Sequence, residues 1–273
     1  MDPTILILLV MASGVLAGGL GALLGIGGGV FLVPSLLAFG LPFRNAVGIS
    51  LMTVIATSTA VSAGTAGRQL INLRLGMLLE VATAAGGLVG GLTARMLSAR
   101  ALGILFGCVM AGVSLLMLTR LDRRNVILDP SVEPGRLGGR YHEEESGCEI
   151  VYRVRRLPVA LLVSFVAGNL SNLLGIGGGT VKVPALNAWC GVPMRAAAAT
   201  SAFMIGVTAV AGAPLYYAHG DVIPHLAGAA VVGVLVGSRV GLGLSARARA
   251  RWLKLLMAVV LLIVAVLMFL RAG

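Results

Sequence analysis

The sequence predicts an all-α polytopic membrane protein of two inverted repeats, each of about five membrane segments (four full spans plus one short or broken segment). Three observations predict it. The chain of 273 residues is 58% hydrophobic and only 11% charged, against about 25% charged in a soluble domain. Several apolar stretches approach or exceed the roughly 20 residues that cross hydrocarbon. One motif also occurs twice, 150 residues apart: Gly25-Ile26-Gly27-Gly28-Gly29 followed by Val33-Pro34, and Gly175-Ile176-Gly177-Gly178-Gly179 followed by Val183-Pro184.

The first repeat, residues 1–119, carries apolar segments at 4–24, 27–40, 45–66, 75–97 and 101–119. A charged connector, 120–156, holds eight Arg residues and has room for a small β-hairpin at Glu149–Val154. It is too short for a domain with its own core. The second repeat, 157–273, carries segments at 157–174, 176–189, 196–217, 223–244 and 252–270. Leu23-Leu24-Gly25 matches Leu173-Leu174-Gly175, and Pro34 matches Pro184. One extra residue near Cys190 then shifts the register. Pro42, Arg44, Ser50 and Thr57 match Pro193, Arg195, Ser201 and Thr208. Gly87 and Gly91 answer Gly233 and Gly237, a spacing of small residues suited to close helix contact.

The second segment of each repeat is short. Fourteen helical residues cover about 21 Å of a core about 30 Å thick. Charge arbitrates whether these segments cross. If they do, 16 basic residues fall on the side of the connector and four on the other. If they do not, the split is 11 to nine. Basic loops favour the cytoplasm, so the expectation is crossing segments, inverted halves, a cytoplasmic connector and both termini outside a bacterial plasma (inner) membrane.

The net charge of +11 is accounted for by these orienting loops. No basic stretch interleaved with aromatics supports nucleic-acid binding. Cys108, Cys148 and Cys190 form no CxxC pair, so neither a disulfide framework nor a metal site is indicated. The N-terminus lacks a basic leader and a small-residue cleavage site, so no removable signal peptide is expected. The glycine runs are not nucleotide loops: no strand precedes them, and Lys182 is out of register with a phosphate-binding Gly-Lys-Ser/Thr. No cofactor is implied.

Glycine weakens a helix by about 1 kcal/mol relative to alanine, and backbone groups freed in lipid must find partners. A matched break in both halves therefore points to a transporter's binding site. A helix N-terminus presents unpaired N–H groups and about half a positive charge, and glycine lets an anion approach them. Gly27, Gly28 and Gly29 would form one such cradle and Gly177, Gly178 and Gly179 the other. The bland reading is that these glycines only permit tight helix crossing.

Lys182 replaces Leu32 of the first half. An ionisable residue at membrane depth marks a site by default. It would add positive charge for an anion, unless the side chain snorkels to an interface. Asn169 and Asn172 share a helix face and can donate to substrate oxygens or act as interhelical glue. Ser50, Thr53 and Thr57 form a hydroxyl stripe that Ser201 and Thr208 repeat, suited to lining a pathway or to bonding back onto their own helices. Glu80, the one carboxylate well inside an apolar segment, could accept a coupling proton. Its nearness to Arg74 makes an interfacial ion pair the preferred reading. No nucleophile–base set is readable, so no enzyme activity is expected.

The paired Leu-Leu-Gly-Ile-Gly-Gly-Gly-x-x-x-Val-Pro runs, with the halves around them, resemble the TauE/SafE (sulfite exporter) family of bacterial membrane permeases. The resemblance covers nearly the whole chain apart from the connector. It implies a plasma-membrane permease for small organosulfur compounds or sulfur oxyanions. It implicates Gly25, Gly27–Gly29 and Pro34 with Gly175, Gly177–Gly179 and Pro184. Lys182 and the long connector are not assigned by that pattern. The functional expectation is a secondary transporter exporting a small anion such as sulfite or a sulfonate by alternating access. An anion channel and a non-transporting membrane scaffold remain the alternatives. The partners expected are that anion and the lipid bilayer, with homo-oligomerisation left open.

Overall fold

The computed structural model describes residues 3–65, 70–94, 96–119, 133–143, 148–247 and 250–272. Ten helices and one hairpin are described in chain order: α1 Pro3–Leu24, α2 Gly29–Ala38, α3 Phe43–Thr65, α4 Leu73–Thr93, α5 Ala99–Thr119, β1 Gly139–Glu143, β2 Cys148–Tyr152, α6 Leu157–Leu174, α7 Gly179–Trp189, α8 Met194–Ala218, α9 Pro224–Arg247 and α10 Ala250–Ala272. Seven of them, α1, α3, α4, α5, α6, α8 and α9, contain stretches long and apolar enough to cross a membrane. The protein is therefore an all-α, multi-pass membrane protein. The two short helices, α2 and α7, have 10 and 11 residues.

Backbone contact through glycine sets the strongest pairings. In α1 and α9, Gly14 meets Ala230, Gly18 meets Val234, Gly237 meets Val15 and Gly241 meets Gly19, so the two helices run parallel. In α4 and α6, Gly168 meets Thr83 and Gly87 meets Asn172, again parallel. Such seams need small residues because lipid gives no hydrophobic drive for helix association. The remaining directions follow. Gly48 and Gly64 of α3 meet Val222, just before α9, and Leu242 within it, so α3 runs with α9. Asn72 at the start of α4 donates its N–H to Thr200 (3.0 Å), and Gly91 near its end meets Leu215, so α4 runs with α8. Helices α5 and α10 are antiparallel, with Gly107 against Phe269 and Ser114 donating to the Ala258 carbonyl (2.7 Å).

Thus α1, α3 and α9 run one way. Asn45, at the start of α3, donates to the Asp221 carbonyl just beyond the end of α8 (3.1 Å), while Val61 and Thr65 at its other end share a recess with Met194 at the start of α8. Helix α8 therefore runs against α3, and α4 and α6 run with α8. Because α1 and α3 share a direction, the chain between them returns across the bundle with α2 as its helical part. Between α6 and α8 it returns with α7.

The hairpin pairs Gly139–Glu143 with Cys148–Tyr152, so the hairpin expected at Glu149–Val154 starts earlier, and that stretch supplies most of its second strand only. It is pinned to the bundle at two places. Asn72 caps α4 by accepting from the Leu75 N–H (3.0 Å) and donates to the Leu137 carbonyl (2.8 Å) and the Tyr152 hydroxyl (3.1 Å). Burial pushes the Tyr152 phenol above its usual pKa. The Arg155 N–H donates to the Cys190 carbonyl at the end of α7 (2.8 Å).

Candidate functional site

The two glycine turns meet at the centre of the bundle. Gly27 and Gly28 have φ of +76° and +43°, and Gly177 and Gly178 have φ of +78° and +67°. This is the left-handed region that glycine alone enters freely. The expected helix starts at Gly27–Gly29 and Gly177–Gly179 therefore narrow to Gly29 and Gly179, and the preceding glycines make the turn. Gly29 lies on the Gly175 carbonyl. Gly179 lies against Gly25 and Ile26, where an added Cβ would come within 2.9 Å of the Gly25 oxygen. The Gly29 N–H bonds back to Gly27, and that of Gly179 to the Gly177 carbonyl. Those two amides are thereby engaged in their own turns. Every residue of both runs, 25–29 and 175–179, is buried.

Hydroxyls border both turns. Ser50 donates across the repeat to the Gly175 carbonyl (2.6 Å). Thr53 and Thr57 bond back to their own helix, to the Ser50 and Thr53 carbonyls. Thr57 lies beside Gly28. On the other turn, Ser171 lies beside Gly178 and Ser201 beside Gly179. The side-chain oxygens of Ser171, Ser201 and Thr180 are buried and lack a hydrogen-bond partner among the described residues, a condition that costs free energy unless a ligand or water answers it.

Lys182, on the first turn of α7, is wholly buried. It does not snorkel. Its Nζ lies 3.8 Å from Glu80 Oε2, and neither atom has a hydrogen-bond partner among the described residues. Glu80 Oε1 accepts from the Thr208 hydroxyl (2.7 Å). The interfacial Glu80–Arg74 pair is thus replaced by an internal one. Glu80 faces inward with Leu79 and Thr83 on the buried side of α4, whereas Arg74 is exposed. Asn172 donates from Nδ2 to the Thr208 carbonyl at a long 3.4 Å, and its backbone carbonyl accepts from the Tyr216 hydroxyl (2.7 Å). Glu80, Lys182, Thr208, Asn172 and Tyr216 therefore form one buried polar cluster joining α4, α6, α7 and α8. Asn169 is half-buried, with its backbone against Gly90 at the α4–α6 seam.

Sequence reasoning did not single out Tyr216, Thr180 or Ser171. A tyrosine near a helix end and hydroxyls within apolar helices carry no distinguishing spacing. Glu80 and Lys182 did have a signal for each other: each is a charged residue stranded in an apolar segment, and buried charges must pair.

Two recesses approach this centre from opposite ends of the bundle. One is lined by Phe43, Arg44, Val47, Leu102, Leu173 and Tyr216, with Asp221 at its edge. The other is lined by Met194, Arg195, Ala198, Leu253, Leu23 and Thr65, and reaches Gly25. The repeat register exchanges them: Phe43 for Met194, Arg44 for Arg195, Val47 for Ala198, Leu102 for Leu253 and Leu173 for Leu23. Neither recess is lined by Gly27–Gly29 or Gly177–Gly179.

The profile of the family described as "Sulfite exporter TauE/SafE" matches residues 10–268. The "Probable membrane transporter protein YunE" of Bacillus subtilis (strain 168) is 26% identical over 264 residues, covering 94% of this chain and 94% of the relative. No solved structure matches at a significant level. With the profile running through both glycine turns and all ten helices, the chain belongs to the TauE/SafE sulfite exporter family and is a membrane transporter.

Proposed function

We propose that the protein carries a small anion, of the class of sulfite, sulfonates and related sulfur oxyanions, between the two glycine turns. The family description favours export as its direction. The observation that carries this reading is Lys182, a wholly buried cation on the first turn of α7, with one carboxylate 3.8 Å away and no hydrogen bond. A charge left so poorly satisfied in a low dielectric is expensive as pure architecture and suits a ligand that arrives and leaves. The unpartnered hydroxyls of Ser171, Thr180 and Ser201 supply donors for oxyanion oxygens. Gly27–Gly29 and Gly177–Gly179 bring two helix N-termini to the same place. Ser50 and Thr57 border it, Asn172 belongs to the adjoining Lys182–Glu80–Thr208 cluster, and Asn169 stands further out on α6.

The opposed directions of α1 and α6 support two inverted repeats, and the two equivalent recesses support alternating access about one central site. The buried glycine turns correspond to an occluded state. The connector is assigned to the cytoplasm and both termini to the outside, on the distribution of basic residues.

The test is counterflow in liposomes. Proteoliposomes preloaded with unlabelled thiosulfate or sulfite are expected to accumulate the labelled anion transiently, with uptake that saturates with concentration. Flux that never saturates and shows no counterflow identifies a channel. Absence of flux with every sulfur oxyanion tried contradicts the proposed substrate class.

A further inference from the structure

We propose that the Lys182–Glu80 pair couples each anion to one proton, so that a monovalent anion and a proton cross together in one electroneutral step. This deepens the anion-carrier reading and rests on it. The pair is as close to neutral as the site can be when empty: one cation, one carboxylate, 3.8 Å apart. An anion that takes Lys182 competes with the carboxylate for its charge, and the pair, 3.8 Å apart with no hydrogen bond between its charged atoms, is open to that exchange. Glu80 is then left ionised in a buried position, with the Thr208 hydroxyl as its remaining donor. A buried carboxylate without a counter-ion takes up a proton rather than stay charged. The charge count at the site is then unchanged: ammonium plus carboxylate before, ammonium plus anion plus neutral acid after. On release the anion leaves, the proton returns to water, and Glu80 pairs again with Lys182.

The surroundings offer no competing charge. Helix α6 carries no ionisable residue, and the single charged residue of α8 is Arg195 at its start, thirteen positions before Thr208, about 20 Å along a helix. Helix α7 offers Lys182 alone. On α4 itself Arg74 is exposed. Of the pair, the ammonium already carries its full complement of protons, so the carboxylate is the group that can take one up. The arrangement also occurs once. By the repeat register Lys182 corresponds to Leu32, Glu80 to Leu226 and Asn172 to Ala22. One pair per chain gives one proton per cycle.

The experiment uses full-length protein in liposomes with a trapped pH dye and an inward gradient of labelled methanesulfonate, which stays monoanionic throughout. The expected result is acidification of the lumen with about one proton per anion, and flux indifferent to a potassium–valinomycin potential. Glu80→Gln is expected to carry the anion without the proton, and its flux is expected to change several-fold with the imposed potential. Wild-type flux without acidification, or acidification retained in Glu80→Gln, overturns the coupling and leaves the carrier standing. No saturable methanesulfonate flux overturns the carrier reading for sulfonates and the coupling with it. If Glu80→Gln fails to fold, the wild-type proton-to-anion ratio decides the matter alone.

Discussion

Replacing Lys182 with Met is expected to destabilise the protein by up to about 3–5 kcal/mol and to abolish anion flux, because truncating one member of a buried pair leaves Glu80 either charged without its partner or forced to take up a proton. At 3.8 Å and an effective dielectric near 20, the lost attraction alone is about 4 kcal/mol. The double replacement Lys182→Met with Glu80→Gln separates the two consequences. Stability is expected to return to within about 2 kcal/mol of wild type or to exceed it, since a neutral, well-packed pair often matches a buried ion pair. Flux is expected to stay lost. Thermal unfolding in detergent reads the first effect and liposome counterflow the second. If the double variant regains transport, Lys182 is not the anion's counter-charge. If the single variant is as stable as wild type, the pair is not buried in the way described.

The second large effect belongs to the crossing of the turns. Gly29→Ala would drive a methyl into the Gly175 carbonyl and within 2.7 Å of the Ser50 hydroxyl, and Gly179→Ala would bring one within 2.9 Å of the Gly25 oxygen and the Ile26 Cα. Backbone cannot yield as a side-chain tip can, so each substitution is expected to cost about 1–3 kcal/mol as overpacking. Each is also expected to reduce counterflow more than tenfold by separating the helix starts. Gly112→Ala is the control. It sits mid-helix in α5 with open space at its Cβ position, so it should leave transport intact and gain slightly from helix propensity. Equal counterflow in all three variants would mean that close approach of the turns has no part in transport.

Much of this arrangement is legible from residue order, and the reasons differ by feature. The helices are legible because lipid demands long apolar runs with internal hydrogen bonding, and the observed ranges follow the expected segments within a few residues. The glycine turns are legible because a run of glycines that weakens any helix recurs at matched positions in both halves. Lys182 stands out because nothing else in its segment is charged. What residue order hides is the pairing across the repeat: α1 seated on α9, and α4 on α6. The spacing of Gly233 and Gly237 marks a close contact, but nothing in it names the partner helix, and Gly14, Gly18, Gly86 and Gly90, which complete the seams, read locally as ordinary small residues. The hidden seam is the reason Arg74, six residues away, looked the better partner for Glu80, while the actual partner lies 102 residues on. Sequence distance says little once four helices converge. Tyr216 joins the cluster through a backbone carbonyl of Asn172, a contact that leaves no trace in residue type or spacing.

The most direct test of a single central anion site is a density map of the protein determined at saturating methanesulfonate or thiosulfate. The account predicts one anion within hydrogen-bonding distance of Lys182 Nζ, bordered by Gly27–Gly29 and Gly177–Gly179, with the Glu80 carboxylate moved off the lysine. Density confined to the recesses at Arg44 or Arg195, with the Lys182–Glu80 pair undisturbed, would contradict it.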